Sequence, residues 1–310
     1  AEPIADPKRP RLIAVVERHG AEHEPENLIA QIDLASGAVE PLVTGRTFYA
    51  APAFSHDGSA LAFLCWDHPN MPWDAAELWV AEVSPAGVVS RPKHIAGDDA
   101  ASALQPTYAP DGTLYFALEV EGYWNLHRLG ARGVERVTSL RSELGAPLWV
   151  LGTKHWAFVD DTTIAGIHFD RGRARLSRID VTTGEVAFIA DSLPYLGQLA
   201  AFGHEVVVAT GWSGSGAELV RVPIEDAAQA TTLANAHAGL LEAADTALPE
   251  PVQFSTTHGE TAYGFFYAPR NRRFTAPDAT LPPLIVVVHG GPTASTSTAF
   301  SPTVQFFTTR

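Results

Sequence analysis

Two stretches decide the fold: Pro52–Phe63, PAFSHDGSALAF, and Pro106–Phe116, PTYAPDGTLYF, the same pattern with one residue fewer. Each sets a proline and an aromatic ahead of an Asp-Gly pair, then resumes an apolar run. The frame recurs upstream from Pro3 (PIADPKRPRLIA), with Lys8-Arg9 in place of Asp-Gly, and more weakly from Pro147 (PLWVLGTKHWAFV) and Gly197 (GQLAAFGHEVVVA). The five starts are separated by 49, 54, 41 and 50 residues, and a regular period of this size marks a repeat architecture.

Each copy has a second half. Strand-like runs follow as NLIAQIDL, ELWVAEV, NLHRL, RLSRIDV and ELVRVPI. Four of the five then meet a glycine turn and another short strand, as in ASGAVEPLV, ARGVERVT and TTGEVAFI. Asp-Gly and Ser-Gly supply the positive φ that tight hairpins need. A unit of this length holding about four short strands is a propeller blade, and a lone blade cannot bury both faces, so blades stack. The alternative, a β-sandwich with accidental similarity, does not account for the spacing. About five blades are visible, and one or two more are expected upstream because the first residues already lie inside a repeat frame.

Near residue 250 the character changes. Residues 225–251, Ala-rich and acidic, read as a linker with a helical turn or two. VQFSTTHGETAYGFFYAP then alternates about His258-Gly259 and predicts a hairpin. Leu284–Val288, five apolar residues with four β-branched, reads as a strand buried on both faces, typical of a parallel sheet. The expected fold class is therefore mostly β: a partial β-propeller over 1–250, followed over 251–310 by the first strands of an α/β-hydrolase domain.

His289-Gly290-Gly291-Pro292 follows that strand directly. An HGG-type loop in this position supplies backbone N–H groups to the oxyanion hole of α/β-hydrolases. Glycine suits it because the chain must turn sharply and approach substrate without a Cβ, placing donors on the developing negative charge. An ordinary strand-to-loop turn is the plainer reading of the motif taken alone.

Composition excludes some functions. With 21 Lys+Arg against 35 Asp+Glu the net charge is −14, which disfavours nucleic acid and anionic membranes as partners. The single cysteine, Cys65, excludes an internal disulfide and a cysteine-ligated zinc site; in LAFLCW it reads as a buried thiol. No apolar run reaches the roughly 20 residues of a membrane span, and AEPIADPKRPR lacks the apolar region of a signal peptide. A cytoplasmic location is expected, with no cofactor and no metal. His19, Glu22, His23 and Glu24 do not read as a metal site, because an HxxxH pair converges only on a helix and this segment is a Gly- and Pro-containing loop.

The segments DHPNMPWDAAELWVAE (67–82), QPTYAPDGTLYFALEVEGYWNLHRL (105–129), ELGAPLWVLG (143–152) and PPLIVVVHGGPTASTSTAFSPTVQFFTTR (282–310) together resemble the prolyl oligopeptidase family of serine peptidases, closest to its acylaminoacyl-peptidase and dipeptidyl-aminopeptidase-like branch. The resemblance implies a propeller capping an α/β-hydrolase domain, with short peptides or aminoacyl amides as substrates. It also implies that His289, Gly290 and Gly291 form the oxyanion loop, while the nucleophile elbow G-x-S-x-G and the Asp and His of the triad lie further along. The chain is thus expected to be an internal portion of a protein about twice as long, and inactive by itself. Gly211-Trp-Ser213-Gly-Ser215-Gly216 misses the elbow and reads as a hairpin turn.

In related dipeptidyl peptidases, propeller glutamates pair with the substrate's free amino group; the resemblance makes Glu143, in RSELGAP, a candidate, and a surface or blade-linking carboxylate is the plainer reading. Asp67, His68, Asn70, Trp73 and Asp74, and likewise Tyr123, Trp124 and Asn125, are read first as blade-linking and packing residues. The competing function is a non-enzymatic propeller binding module with a vestigial C-terminal tail, which predicts a closed ring. The enzymatic reading predicts an exposed blade edge and an unpaired strand at 284–288.

Overall fold

The computed structural model describes residues 1–310 apart from 21–23, 171, 191–195, 213–215, 237–241 and 292–293. Strands make up 50% of the chain and helices 7%, so it is mostly β. Two compact units are distinguished: one comprises Ala1–Lys154, Asp160–Thr163 and Asp180–Val186, the other His155–Val159, Ile164–Ile179 and Ala187–Arg310.

In the first unit three antiparallel meanders follow the repeat frame. Sheet one is built from Ile4–Ala5, Arg11–Arg18, Glu26–Asp33 and Val39–Val43, each paired with the next. Sheet two holds Phe48–Phe54, Ala60–Trp66, Glu77–Val83 and Val89–Ala96, and sheet three Ala103–Tyr108, Leu114–Val120, Tyr123–Gly130 and Gly133–Arg136. The strand Ala60–Trp66 explains the continuous apolar runs. Leu61, Phe63 and Cys65 face a core shared with Ile13, Val15 and Ile29 of sheet one. Ala62, Leu64 and Trp66, on the other face, pack with Ala103, Leu114 and Phe116 of sheet three. A period of two buried on both sides is what stacked sheets impose. Cys65 is buried as read, and burial pushes its thiol up to about 12.

The repeat frame has a physical basis. Glu2, Ala51 and Gln105, the residues before Pro3, Pro52 and Pro106, all take positive φ (49°, 48° and 49°). Proline has no N–H for the ladder, and the register shifts between Ala50 and Ala53 and again where Leu104–Thr107 meets Tyr115–Ala117. The first strands of sheets two and three therefore each carry a bulge at the X-Pro step. Asp57 then closes the following turn: its Oδ1 accepts the Ser55 and Ser59 hydroxyls at 2.6 and 2.8 Å and the Ser59 N–H at 3.0 Å. Gly58 sits at φ 65°, and a Cβ there would stand 2.8 Å from Lys8 Cγ, so both conformation and space demand glycine.

The second unit contains Trp156–Phe158 and all but the terminal residues Thr163, Asp180 and Val186 of the strands Thr163–Asp170, Arg173–Asp180 and Val186–Ala190 of sheet four, and sheet five, Leu196–Phe202, Glu205–Trp212, Gly216–Pro223 and Thr231–Asn235. Their faces meet in a core of Ala165, Ile167, Leu176, Leu199, Val206, Val208, Val220 and Val222. The weak copy at Pro147 corresponds to an irregular segment: Glu143–Leu144 and Trp156–Phe158 are strands, but Pro147 lies in neither. Thr231–Asn235, the outer strand of sheet five, lies inside the stretch read as linker. It is mostly exposed, so no alternation betrays it.

The predicted hairpin is present as Pro249–Ser255 paired with Thr261–Tyr267, with Gly259 at φ 78° in its turn. Leu284–Val288 is unpaired, as the enzymatic reading expects, but it is neither strand nor buried. It joins no sheet, and its side chains are exposed, from 52% at Ile285 to 80% at Val288. A strand is held by its neighbours, and among the described residues none is paired with it. A helix not anticipated from the sequence, Pro302–Thr308, is capped by the Ser301 hydroxyl. It is pinned by Gln305, whose amide exchanges two 2.9 Å hydrogen bonds with the backbone of Ala247.

Candidate functional site

In a four-stranded meander the entry of the first strand and the turn between the second and third share one end. The first unit gathers acidic and aromatic side chains at that end. Ala60–Trp66 passes to Glu77–Val83 through the short helix Pro72–Ala75, which carries Trp73 and Asp74. Leu114–Val120 turns into Tyr123–Gly130 so that Glu119 faces Trp124 across the ladder. Glu143 stands on the two-residue strand Glu143–Leu144.

Buried Ser102 fastens these pieces together. Its carbonyl accepts the Glu119 N–H at 3.0 Å and the Trp124 indole N–H at 3.1 Å, and its hydroxyl donates to the Pro72 carbonyl at 2.6 Å. The Trp124 backbone N–H donates to Glu143 Oε2 at 2.8 Å. Trp124 forms a small core with Leu104 and Ala117, against which Trp73 and Leu148 pack. Trp73 in turn lies against Trp149, ring centroids 4.4 Å apart.

The electrostatics at this end are unusual for carboxylates. Burial pushes Glu143 up; the Trp124 N–H partly offsets this, and the Glu119 carboxylate pushes it further. Burial likewise raises Glu119, opposed by the Ser102 backbone and reinforced by Asp74. Two acids held above their ordinary values, each made worse by an acidic neighbour, are stabilised by an arriving cation. The sequence singles out Glu143 but not Glu119, and it reads Asp74 and Trp73 first as structural. A signal for Glu119 existed in its place at a strand end beside Trp124, but only the pairing brings it to Glu143.

The other residues singled out fall into place as follows. Asp67 is structural: it accepts from Arg46 Nε and Thr47 N–H, both at 2.6 Å. The Asn125 amide links Thr138 and Leu140. His19 pairs with Glu17 at 2.6 Å, while Glu22 and His23 lie outside the described residues. Trp212 pairs with Gly216 as neighbours in a hairpin; Ser213, Gly214 and Ser215 lie outside the described residues. A surface cleft of about 350 Å³ on sheet one is lined by Arg11, Gln31, Asp33 and Glu40. Its guanidinium is committed to Asp6, Gln31 and the Gly87 carbonyl, so the cleft has no free cation. Among the described residues no group of three or more His, Cys, Asp or Glu is placed to hold a metal.

His289, Gly290 and Gly291 belong to the second unit and are exposed. Gly291 takes φ 73°, a conformation that glycine adopts without steric cost. Nothing lies within 4 Å of where a Gly290 Cβ would stand. The loop is thus an exposed backbone turn. Pro292, the last member of the motif, lies outside the described residues.

No protein-family model and no curated protein matches the chain. Solved structures do. A puromycin hydrolase is 28% identical with a TM-score of 0.92, covering 99% of this chain and 48% of its own. A puromycin-hydrolysing peptidase from Mycobacterium tuberculosis is 30% identical with a TM-score of 0.92, covering 100% of this chain and 49% of its own. Prolyl oligopeptidase B from Galerina marginata, 12% identical with a TM-score of 0.62 over 84% of this chain and 37% of its own, shares the fold. The chain spans about half the length of the first two relatives. With its stacked antiparallel sheets and this likeness over its whole length, it belongs to the prolyl oligopeptidase family of serine peptidases.

Proposed function

We propose that residues 1–250 form propeller blades and residues 251–310 the opening of the α/β-hydrolase domain of a serine exopeptidase acting on short peptides or aminoacyl amides. Glu143, assisted by Glu119, receives the free amino group of the substrate. His289 shapes the turn on which Gly290 and Gly291 present N–H donors to the oxyanion. A serine nucleophile with its histidine base, supplied by residues beyond these 310, attacks the carbonyl. The observation that carries this reading is the pair of partly buried carboxyls, Glu143 and Glu119, both raised and both beside Trp124. A serine-to-alanine variant of the puromycin hydrolase is known in complex with PGG, which supports a peptide ligand.

The pH dependence follows in sign. Binding an ammonium needs the carboxylates ionised, and their values lie above 4.5. Affinity for a free-amine substrate is therefore full above that range and is lost as pH falls through the raised values.

The test uses the protein that carries this chain together with its nucleophile. Glu143→Gln keeps an acceptor for the Trp124 N–H but removes the charge, so KM for a free-amine aminoacyl amide should rise about 10- to 100-fold. KM for the N-acetylated amide should not change. Equal effects on both substrates would refute the assignment. The 310-residue chain alone should show no turnover, and labelling of any of its serines by a fluorophosphonate would overturn that part of the reading. Tight binding of an unrelated macromolecule without hydrolysis by the longer protein would favour the binding module instead.

A further inference from the structure

A helix of one turn does not hold its own orientation. In Pro72–Ala75 the Asp74 and Ala75 N–H groups return to the Met71 carbonyl at 2.9 and 3.3 Å, and Asp74 Oδ2 accepts the Met71 N–H at 3.0 Å. These bonds close the turn on itself. Its place comes from the entry to sheet three: the Ser102 hydroxyl donates to the Pro72 carbonyl at 2.6 Å, and the Ala103 N–H to the Ala76 carbonyl at 2.8 Å. The turn is gripped at both ends, through buried Pro72 and Ala76, and exposed Asp74 stands between the grips.

Ser102, itself 0% exposed, fixes the other partner as well. Its carbonyl accepts the Glu119 N–H at 3.0 Å. The backbone of one residue thus holds Glu119 while its side chain holds the turn that carries Asp74, and the spacing of two like charges on neighbouring sheets is set there. The charges that act on the pair of glutamates are acidic: Asp74 raises Glu119, and Glu119 raises Glu143. The carbonyl bonds of residue 102 do not depend on its side chain. The hydroxyl bond does, and without it the Pro72 carbonyl loses that donor.

We propose that Ser102 is a positioning residue of the amine site, whose hydroxyl holds Asp74 against Glu119 so that a third carboxylate adds to the hold of the two glutamates on a cation. The proposal rests on the assignment of Glu143 and Glu119 to the substrate's amino group. Asp74 acts in two ways that share one cause. It attracts an arriving ammonium, and it makes the empty pair harder to ionise. Loosening the turn should weaken both effects together.

Two readouts separate the clamp from the site. The first needs no substrate: a 13C carboxyl titration of Glu119 in the 310-residue chain, its resonance assigned by Glu119→Gln. Asp74→Asn keeps an acceptor for the Met71 N–H, removes the charge and should move the Glu119 midpoint down toward 4.5. Ser102→Ala should move it the same way, and the double variant no further than Asp74→Asn alone. Ser102→Cys, a weaker donor of similar shape, should give a smaller shift in the same direction. A Ser102 that serves folding alone would lower the melting temperature and leave the midpoint in place.

The second readout uses the longer protein that carries the nucleophile. At pH 8 Ser102→Ala and Asp74→Asn should each raise KM for a free-amine aminoacyl amide about two- to fivefold, the scale of one exposed carboxylate acting through solvent. KM for the N-acetylated amide should not change. A Glu119 midpoint that Asp74→Asn moves and Ser102→Ala does not, or shifts that add in the double variant, overturns the clamp and leaves the amine assignment standing. Equal KM changes on both substrates overturn the amine assignment, and the role of the clamp in binding with it.

Discussion

Asp6 is the residue whose removal should harm the first unit most for its size. In the opening copy of the repeat, Lys8-Arg9 replaces Asp-Gly, and the structure shows what the exchange achieves. Arg9 reaches to sheet two, donating to the Ser84 carbonyl at 2.6 Å and the Pro85 carbonyl at 3.3 Å, and Arg11 donates to the Gly87 carbonyl at 2.9 Å. Asp6 holds both guanidiniums, Arg11 Nε at 2.8 Å and Arg9 Nη1 at 3.0 Å, and accepts the Lys8 N–H at 2.9 Å. Its side chain is 0% exposed and that of Arg11 10%. Asp6→Ala strands a buried guanidinium without its counter-ion, which costs about 3–5 kcal/mol. Asp6→Asn retains an acceptor and loses the charge, for about 2 kcal/mol. Adding Arg11→Met to Asp6→Ala should cost less than the sum of the two single changes by more than about 1 kcal/mol, since the second change removes the stranded charge.

Urea unfolding followed by tryptophan fluorescence reads all of these. The internal standard is Arg18→Met, which breaks a pair with Glu26 at 3.4 Å whose side chains are 51% and 56% exposed; such pairs contribute less than about 1 kcal/mol. An Asp6→Ala cost no larger than that of Arg18→Met would refute the reasoning. The pH dependence has a definite sign. Burial alone would raise the Asp6 carboxyl, but the Lys8 N–H and the guanidiniums of Arg11 and Arg9 outweigh it and hold the group below 3.8. Its contribution is present above 3.8 and is lost as pH falls through the folded-state value.

Two further outcomes follow from the backbone and the second core. At Ala51, φ 48°, a β-branched side chain is strained where glycine is not, so Ala51→Val should destabilise by about 2 kcal/mol or more and Ala51→Gly should be near neutral, measured by the same urea titration. The reverse order would mean that packing rather than conformation governs the bulge. His155 and His168, both buried in the second unit, are held down to about 4, His155 by burial and His168 by burial and then by Arg175. Both should be neutral at pH 6, each contributing stability on the order of 3 kcal/mol that is present above 6.5 and lost as pH falls through 4; an imidazole proton NMR titration with a midpoint near 6.5 for either would contradict this.

Much of the architecture was legible because it is periodic. The five repeat-frame runs from NLIAQIDL to ELVRVPI each coincide with the third strand of a meander or of its equivalent, whereas Leu284–Val288 forms no strand. The reason for the Pro-x-aromatic frame was not legible. Positive φ at Glu2, Ala51 and Gln105 runs against the preference of each residue, so no local propensity announces it. The outer strand Thr231–Asn235 escaped because an exposed edge carries no hydrophobic period. The helix Pro302–Thr308 escaped because it is short and held mostly by one glutamine. At the candidate site, Glu143 could be proposed from resemblance. Glu119, Asp74 and Trp73 become its neighbours only through strand pairing and the Ser102 clasp, which sequence proximity does not reveal.

The net charge of −14 divides into two kinds of acid, and the division supports the site more firmly than the total does. Asp33, Asp57 and Asp180 close turns between first and second or third and fourth strands, and Asp160 does the same beyond Trp156–Phe158. They accept N–H groups and hydroxyls from the residues just after them, as Asp57 does from Ser59 and Asp180 from Thr182 and Thr183. All four are held low, Asp57 and Asp180 to about 2, so they are satisfied as anions by their own turns. Glu119 and Glu143 occupy the opposite end of their meanders and are shifted the opposite way. A fold that needed them only as turn closures would supply the donors that the aspartates have. It supplies one backbone donor to each, adds an acidic neighbour, and sets indoles alongside. That arrangement is costly for an empty surface, and an ammonium group removes the cost.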